Sequence, residues 1–133
     1  MRWAFSSRNI AALLAAFFVL AVGAFALAPD GKPQQLPLDP QPLTIVSQVG
    51  SQNILIEVAD EGPEREVGLM YRKEVPKNQG MLFDFNLSRE VTMWMRNTYI
   101  SLDMIFIRRD GIIHRIQART EPLSDNVISS QGD

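Results

Sequence analysis

The segment PDGKPQQLPLDPQP, from Pro29 to Pro42, holds five of the chain's eight prolines and almost nothing that can be buried. Proline fixes its own φ and lacks a backbone donor, so neither a helix nor a central strand runs through such a stretch. The segment divides the chain. It reads as an extended, semi-rigid linker over residues 29–42, leaving one folded domain over residues 43–133. In a domain of that size every core residue carries a large share of the burial.

What precedes the linker is of a different kind. MRWAFSSRN carries Arg2 and Arg8 and no acid, and IAALLAAFFVLAVGAFALA, from Ile10 to Ala28, carries no charge at all. A positive start, an apolar run and the small residues Ala24, Ala26 and Ala28 have the layout of a secretory signal peptide. The run also approaches the ~20 residues that span a bilayer. Residues 1–28 therefore read as a signal peptide, the reading the small-residue pattern favours, or as an N-terminal membrane anchor. In both cases Arg2 and Arg8 hold the N-terminus inside and place everything after Ala28 outside the cytoplasm. The expected location is periplasmic or secreted, with residues 10–28 as the possible inner-membrane anchor and the N-terminal segment touching the membrane during or after export.

There is no cysteine, which excludes disulfides, thiol catalysis, thiolate metal sites and lipidation through sulfur. A net charge of −2 supplies no basic field and argues against nucleic acid as a partner. No motif calls for a cofactor.

LTIVSQV and NILIEVA are β-branched, partly alternating runs separated by Gly50 and Ser51, the pattern of a hairpin. In GPEREVGLMYRK, Pro63 suits a first helical turn, and Glu64 and Glu66 suit its dipole. Gly68 inside that helix would cost about 1 kcal/mol relative to alanine, so either the helix is short or a backbone packs close there. GMLFDF, EVTMWM, SLDMIFI and IIHRIQA follow as short strands, with Asp110-Gly111 as the tightest turn. The expected fold is mainly β, a compact antiparallel sandwich or barrel with one short α-helix.

The chemistry centres on VTMWMRNTYISLDMIFI, from Val91 to Ile107, where a polar knot separates two apolar segments. As a corner, it would let Asn97, Thr98 and Asp103 satisfy one another while the chain changes direction. As a surface, it would offer Trp94 to stack on a ligand and Arg96 or Asn97 to hydrogen-bond it. As an enzyme, it would need Asp84 and Asp103, which interrupt apolar runs and whose burial would raise their pKa, together with His114, the single histidine. Register decides that last reading. A two-residue loop at Asp110-Gly111 puts His114 opposite Ile107, about 13 Å along the ladder from Asp103. A four-residue loop from Arg108 to Gly111 puts it opposite Ile105, with Asp103 at roughly 7 Å. Met93 and Met95 with His114, or with Met81, form a candidate soft-metal set for Cu(I) or Ag(I). Methionines on strands more commonly fill core space. No nucleophile elbow, phosphate loop or spaced metal-ligand set occurs.

EREVGLMYRKEVPKNQGMLFDF and TMWMRNTYISLDMIFIRRDGIIHRI resemble the bacterial domain-of-unknown-function family 192, with its GLM motif, GMLFDF-like motif, W-M-[KR]-N-T bend and L-D-[MI]-x-F-I strand. The resemblance spans nearly all of Ile54 to Ser130. It implies a compact, jelly-roll-like β fold with a short helix, often behind an export signal, and no established activity. Gly68, Leu69, Met70, Gly80, Met81, Phe83, Trp94, Met95, Asn97, Thr98, Leu102 and Asp103 match its motifs. Among these Gly68, Met70, Gly80, Thr98 and Asp103 are expected to be structural. Members usually continue past EPLSDNVISSQGD into a further strand, whereas this chain stops at Asp133, so the expected domain has an exposed sheet edge. The leading functional expectation is an exported envelope domain acting as a non-catalytic binding module for a small ligand or another envelope component. An enzyme built on Asp84, Asp103 and His114 is the alternative, and a soft-metal carrier the third.

Overall fold

In the computed structural model, which describes residues 31–132, the strands are short and divided among three small sheets. The candidate signal or anchor lies outside the described residues. In chain order the elements are β1 (Leu43–Ser47), β2 (Gly50–Ala59), α1 (Gly62–Val67), β3 (Gln79–Phe83), β4 (Thr92–Met93), β5 (Met104–Ile107), β6 (Ile113–Gln117) and β7 (Ile128–Ser129). The sheets are β1-β2-β3, β4-β7 and β5-β6. Among the described residues the fold is thus mainly β with a single short helix, as the pattern of short apolar runs predicts, and no barrel closes.

β1 and β2 form the expected hairpin, but Ser47 faces Gly50, so the loop is Gln48-Val49 rather than Gly50-Ser51. The Ser47 hydroxyl closes it by donating to the Gly50 carbonyl and accepting from the Val49 N–H. β2 then pairs with β3 in parallel, whereas the other pairings among the described strands are antiparallel. Parallel neighbours need a crossover of about a dozen residues or more, and Asp60 to Asn78, including α1, supplies it.

α1 begins where the sequence predicts, with Pro63 in its first turn and the Glu64 carboxylate accepting from the Asp60 and Glu61 N–H groups. Gly68 is not inside the helix. It ends it, at φ 50° and ψ −126°, with its N–H on the Glu64 carbonyl. A Cβ at this position would stand 2.9 Å from Phe83 Cζ, so the chain both turns here and packs against β3.

The linker is where the structure departs most from the sequence reading. Gln34 to Asp39 is not a free tether. Leu38 forms an antiparallel bridge with Glu57, Asp39 donates its N–H to the Ile56 carbonyl at 2.7 Å, and the Gln34 side chain donates to the Glu64 and Gly68 carbonyls at 2.7 and 2.9 Å. The prolines permit this because the segment lies on an edge, where their missing donors face away from a partner. The folded unit therefore starts near Gln34 rather than at Leu43.

β5 and β6 also differ from both anticipated registers. Ile107 faces Ile113 while Phe106 faces Arg115, so His114 is the extra residue of a β-bulge and the loop runs from Arg108 to Ile112. The Asp110 carboxylate accepts the Ile112 N–H at 3.0 Å and the Gly111 N–H bonds the Arg108 carbonyl at 2.8 Å, which together prefer the longer loop. At the other end, EPLSDNVISSQGD contributes β7, paired with β4 and extended by Ser130, which exchanges hydrogen bonds with Val91.

The core is small: Ile56, Ala59, Met70 and Met95 are buried, together with Glu57, Thr98, Thr120 and Ser130. Thr120 ties the segments together. Its hydroxyl donates to the Leu102 carbonyl at 2.8 Å, accepts the Leu102 N–H at 3.1 Å and faces the Met95 sulfur at 3.2 Å.

Candidate functional site

The polar knot is a corner. Met95 to Thr98 forms a turn closed by the Thr98 N–H on the Met95 carbonyl at 3.0 Å, with Asn97 in its third position at φ 55°. That conformation favours glycine or asparagine, which is why an amide residue stands there. The Asn97 side chain donates to the Tyr71 hydroxyl at 2.9 Å, and the Asn97 carbonyl accepts the Tyr71 N–H at 2.8 Å. The Thr98 hydroxyl donates to the Arg96 carbonyl at 3.2 Å, and Asp103 accepts the Arg119 N–H at 2.7 Å. The expectation that Asn97, Thr98 and Asp103 satisfy one another is therefore corrected: Asn97 is satisfied by Tyr71, Thr98 within its own turn and Asp103 by Arg119. The knot fastens the GLMY segment and the C-terminal loop to one turn.

Beside the corner lies a surface. Trp94 is 42 % exposed, and the Arg96 guanidinium covers one ring face at 4.1 Å while its Nε donates to Asp125 at 2.7 Å. Asp125 lies between Ser124 and Asn126, which line a groove of about 480 Å³ floored by Met95 and walled by Arg115, Gln117 and Arg119. Arg115 and Gln117 reach it together because residues two apart share a strand face. Arg115 is held in place by donating to the Ser129 carbonyl and to Gln117 Oε1. An exposed cation–π contact contributes about 0.5–1 kcal/mol and an exposed ion pair about 0–1 kcal/mol. The Arg96 cover is accordingly weak enough for a ligand ring to displace.

The three groups of the enzymatic reading are exposed and separately employed. Asp84 follows β3 and accepts the Asn86 N–H at 2.8 Å, Asp103 precedes β5 and holds Arg119, and His114 sits in the bulge with its Nε2 3.3 Å from the Gln131 carbonyl. The expected burial of Asp84 and Asp103 is thus overturned, because both fall just outside strands and close local loops. Of the candidate metal set, Met95 is core, Met93 is half-buried opposite Ile128, and His114 points to solvent near Gln131. Among the described residues no group of His, Asp or Glu gathers as a metal site. Met70 is buried, its sulfur 3.9 Å from the Asn97 amide, whereas a Cβ on Gly80 would meet Ile54 at an ordinary 3.8 Å, so space alone does not demand glycine there.

The buried carboxylate among the described residues is Glu57, which belongs to none of the sequence motifs. Arg72 grips it with two bonds of 2.7 Å, the Leu36 N–H adds a third at 2.7 Å, and Arg72 also donates to the Gln34 carbonyl. Burial raises the Glu57 pKa, but the Arg72 hydrogen bonds, the Leu36 N–H and the Arg72 charge outweigh it and hold the carboxyl below its ordinary value. The signal was present in NILIEVA, where one acid breaks an apolar strand. This ion pair floors a second cleft of about 690 Å³, rimmed by Leu36, Leu38, Tyr71 and Tyr99.

Fold and surfaces define a small β-rich domain with two open clefts and no assembled catalytic set among its described residues. The sequence profile of the domain-of-unknown-function family 192 (DUF192), described as Uncharacterized ACR, matches residues 44–133, and the chain belongs to that family. A crystal structure of a candidate transcription regulator from Sinorhizobium meliloti is 37 % identical with a TM-score of 0.65, over 71 % of this chain and 77 % of that one. A protein of unknown function from Novosphingobium aromaticivorans is 33 % identical with a TM-score of 0.70, over 80 % of this chain and 76 % of that one. No curated protein matches the chain.

Proposed function

We propose that the protein is an exported, non-catalytic binding module of the bacterial envelope that takes a small polar ligand, a saccharide by preference, in the groove beside Trp94. The carrying observation is a 42 % exposed tryptophan weakly covered by Arg96, whose partner Asp125 sits between two residues of a polar groove in which the Arg115 guanidinium is held by Ser129 and Gln117. A pyranose face stacks on an aromatic ring while its hydroxyls take hydrogen bonds from fixed polar side chains. Asn97 has no part in this, being committed to Tyr71. Export rests on the residue pattern of Met1 to Ala28, with either cleavage or retention of that segment. The regulator description of the S. meliloti protein finds little support here, since the net charge is −2 and Arg96 is neutralised by Asp125.

The test is titration of the protein with N-acetylglucosamine oligomers and maltotriose while following Trp94 emission, with Arg119→Ala alongside. A saturable shift that weakens in Arg119→Ala supports the reading. No shift with either sugar at tens of millimolar overturns it for saccharides.

A further inference from the structure

We infer that the Tyr71–Tyr99 cleft is the face this domain holds against a lipid bilayer, an inference that rests on retention of residues 10–28 as an anchor. The clamped linker carries it. From Ala28 to Leu43 a free chain reaches roughly 50 Å at about 3.3–3.6 Å per residue, enough to let a domain roam. The chain is fixed from Gln34 onward, however, by the Glu64 and Gly68 carbonyls, by Arg72 on the Gln34 carbonyl and by Glu57 on the Leu36 N–H. Five residues then separate Ala28 from Gln34, six Cα–Cα steps with a reach of about 20 Å. The headgroup layer takes up several of those ångströms, about 5–8 Å per leaflet.

The exit point selects the face. Gly31 and Pro33 line the cleft with Tyr71, Tyr99 and Lys73, so the start of the described chain lies at the cleft, three positions after the uncharged run that ends at Ala28. The rim has the composition that headgroups accept. Tyr71 and Tyr99 meet edge to face with ring centres 6.3 Å apart, Tyr99 is 49 % and Leu38 44 % exposed, and Lys73 is exposed beside them. Amphipathic rings and snorkelling lysines concentrate in that layer because one end is apolar and the other wet. The hairpin tip lies elsewhere: Val49 stands next to Gly50, seven residues up β2 from Glu57, or roughly 23 Å.

The absence of cysteine allows a direct test on the full chain. Lys73→Cys and Val49→Cys are each labelled with an NBD dye, reconstituted into phosphatidylethanolamine–phosphatidylglycerol vesicles, floated on a gradient, and measured with and without headgroup-level spin-labelled lipid. The expected result is flotation of both variants, loss of emission from position 73 and unchanged emission from position 49. A chain that does not float removes the anchor and this inference together. One that floats with position 73 unquenched, or with position 49 quenched as strongly, overturns the orientation alone and leaves the anchor standing.

Discussion

Arg72→Met isolates the contribution of the clamp to stability. The Glu57 and Arg72 side chains are only 10 % and 12 % exposed, and their two contacts are 2.7 Å long. Without the guanidinium, Glu57 keeps a single donor, the Leu36 N–H, for a carboxylate inside the protein. Breaking a buried pair from one side costs about 3–5 kcal/mol, whereas replacing both partners with apolar groups is often near neutral. In a domain of this size 1 kcal/mol moves Tm by about 4–8 °C, so Arg72→Met should lower it by at least about 12 °C. Glu57→Leu combined with Arg72→Met should recover most of that.

The pH dependence separates charge from packing. In the native protein the Glu57 pKa is held below the ordinary 4.5, so its stabilisation is fully present above pH 4.5 and is lost as pH falls through the lowered value. In Arg72→Met burial raises the pKa above the unfolded value. The penalty is then present at neutral pH and relieved on acidification, which reverses the sign of the local slope. Urea unfolding followed by far-UV circular dichroism at several pH values measures both. A loss below about 1 kcal/mol, or slopes of equal sign in the two proteins, would show that the pair is not the buried charge cluster described.

Gly68→Ala should destabilise by about 2–4 kcal/mol, combining strain at positive φ with a Cβ pressed on Phe83, and chemical denaturation of the variant measures it. Asn97→Gly should lose the Tyr71 hydrogen bond and the weak contact with the Met70 sulfur, about 1 kcal/mol, while Asn97→Ala also meets the left-handed penalty and should lose roughly 2–3 kcal/mol; equal losses would deny the conformational role. Asp125→Ala should change stability by less than about 1 kcal/mol, because the Arg96 pair is exposed, and should alter Trp94 emission as the guanidinium loosens.

The residues show how much could be read in advance. Strands, the helix start at Pro63 and the corner at Asn97 follow from short-range rules: alternation, turn chemistry and the left-handed tolerance of asparagine. Family membership was equally visible, since motifs are strings of neighbours. The linker failed because proline content argues against helices and central strands but says nothing about an edge, and the Leu38–Glu57 bridge joins residues nineteen positions apart. The His114 register failed because a bulge adds one residue without leaving a compositional mark. Asp84 and Asp103 misled for a related reason: flanking aromatic and aliphatic residues suggest burial, but strand ends turn outward within a single residue.

The pairing of β4 with β7 joins Thr92 to Ser129 and Met93 to Ile128, whereas β1 and β2 meet across a two-residue loop. Contacts that far apart in the chain must wait for the ends to find each other, so a newly made copy closes its N-terminal hairpin early and its C-terminal seam last. Until that seam forms, Met95 has no shelter beneath the Ser124 segment. The interval before closure is when chaperone assistance would matter most and when a neighbouring copy would compete for the same strand.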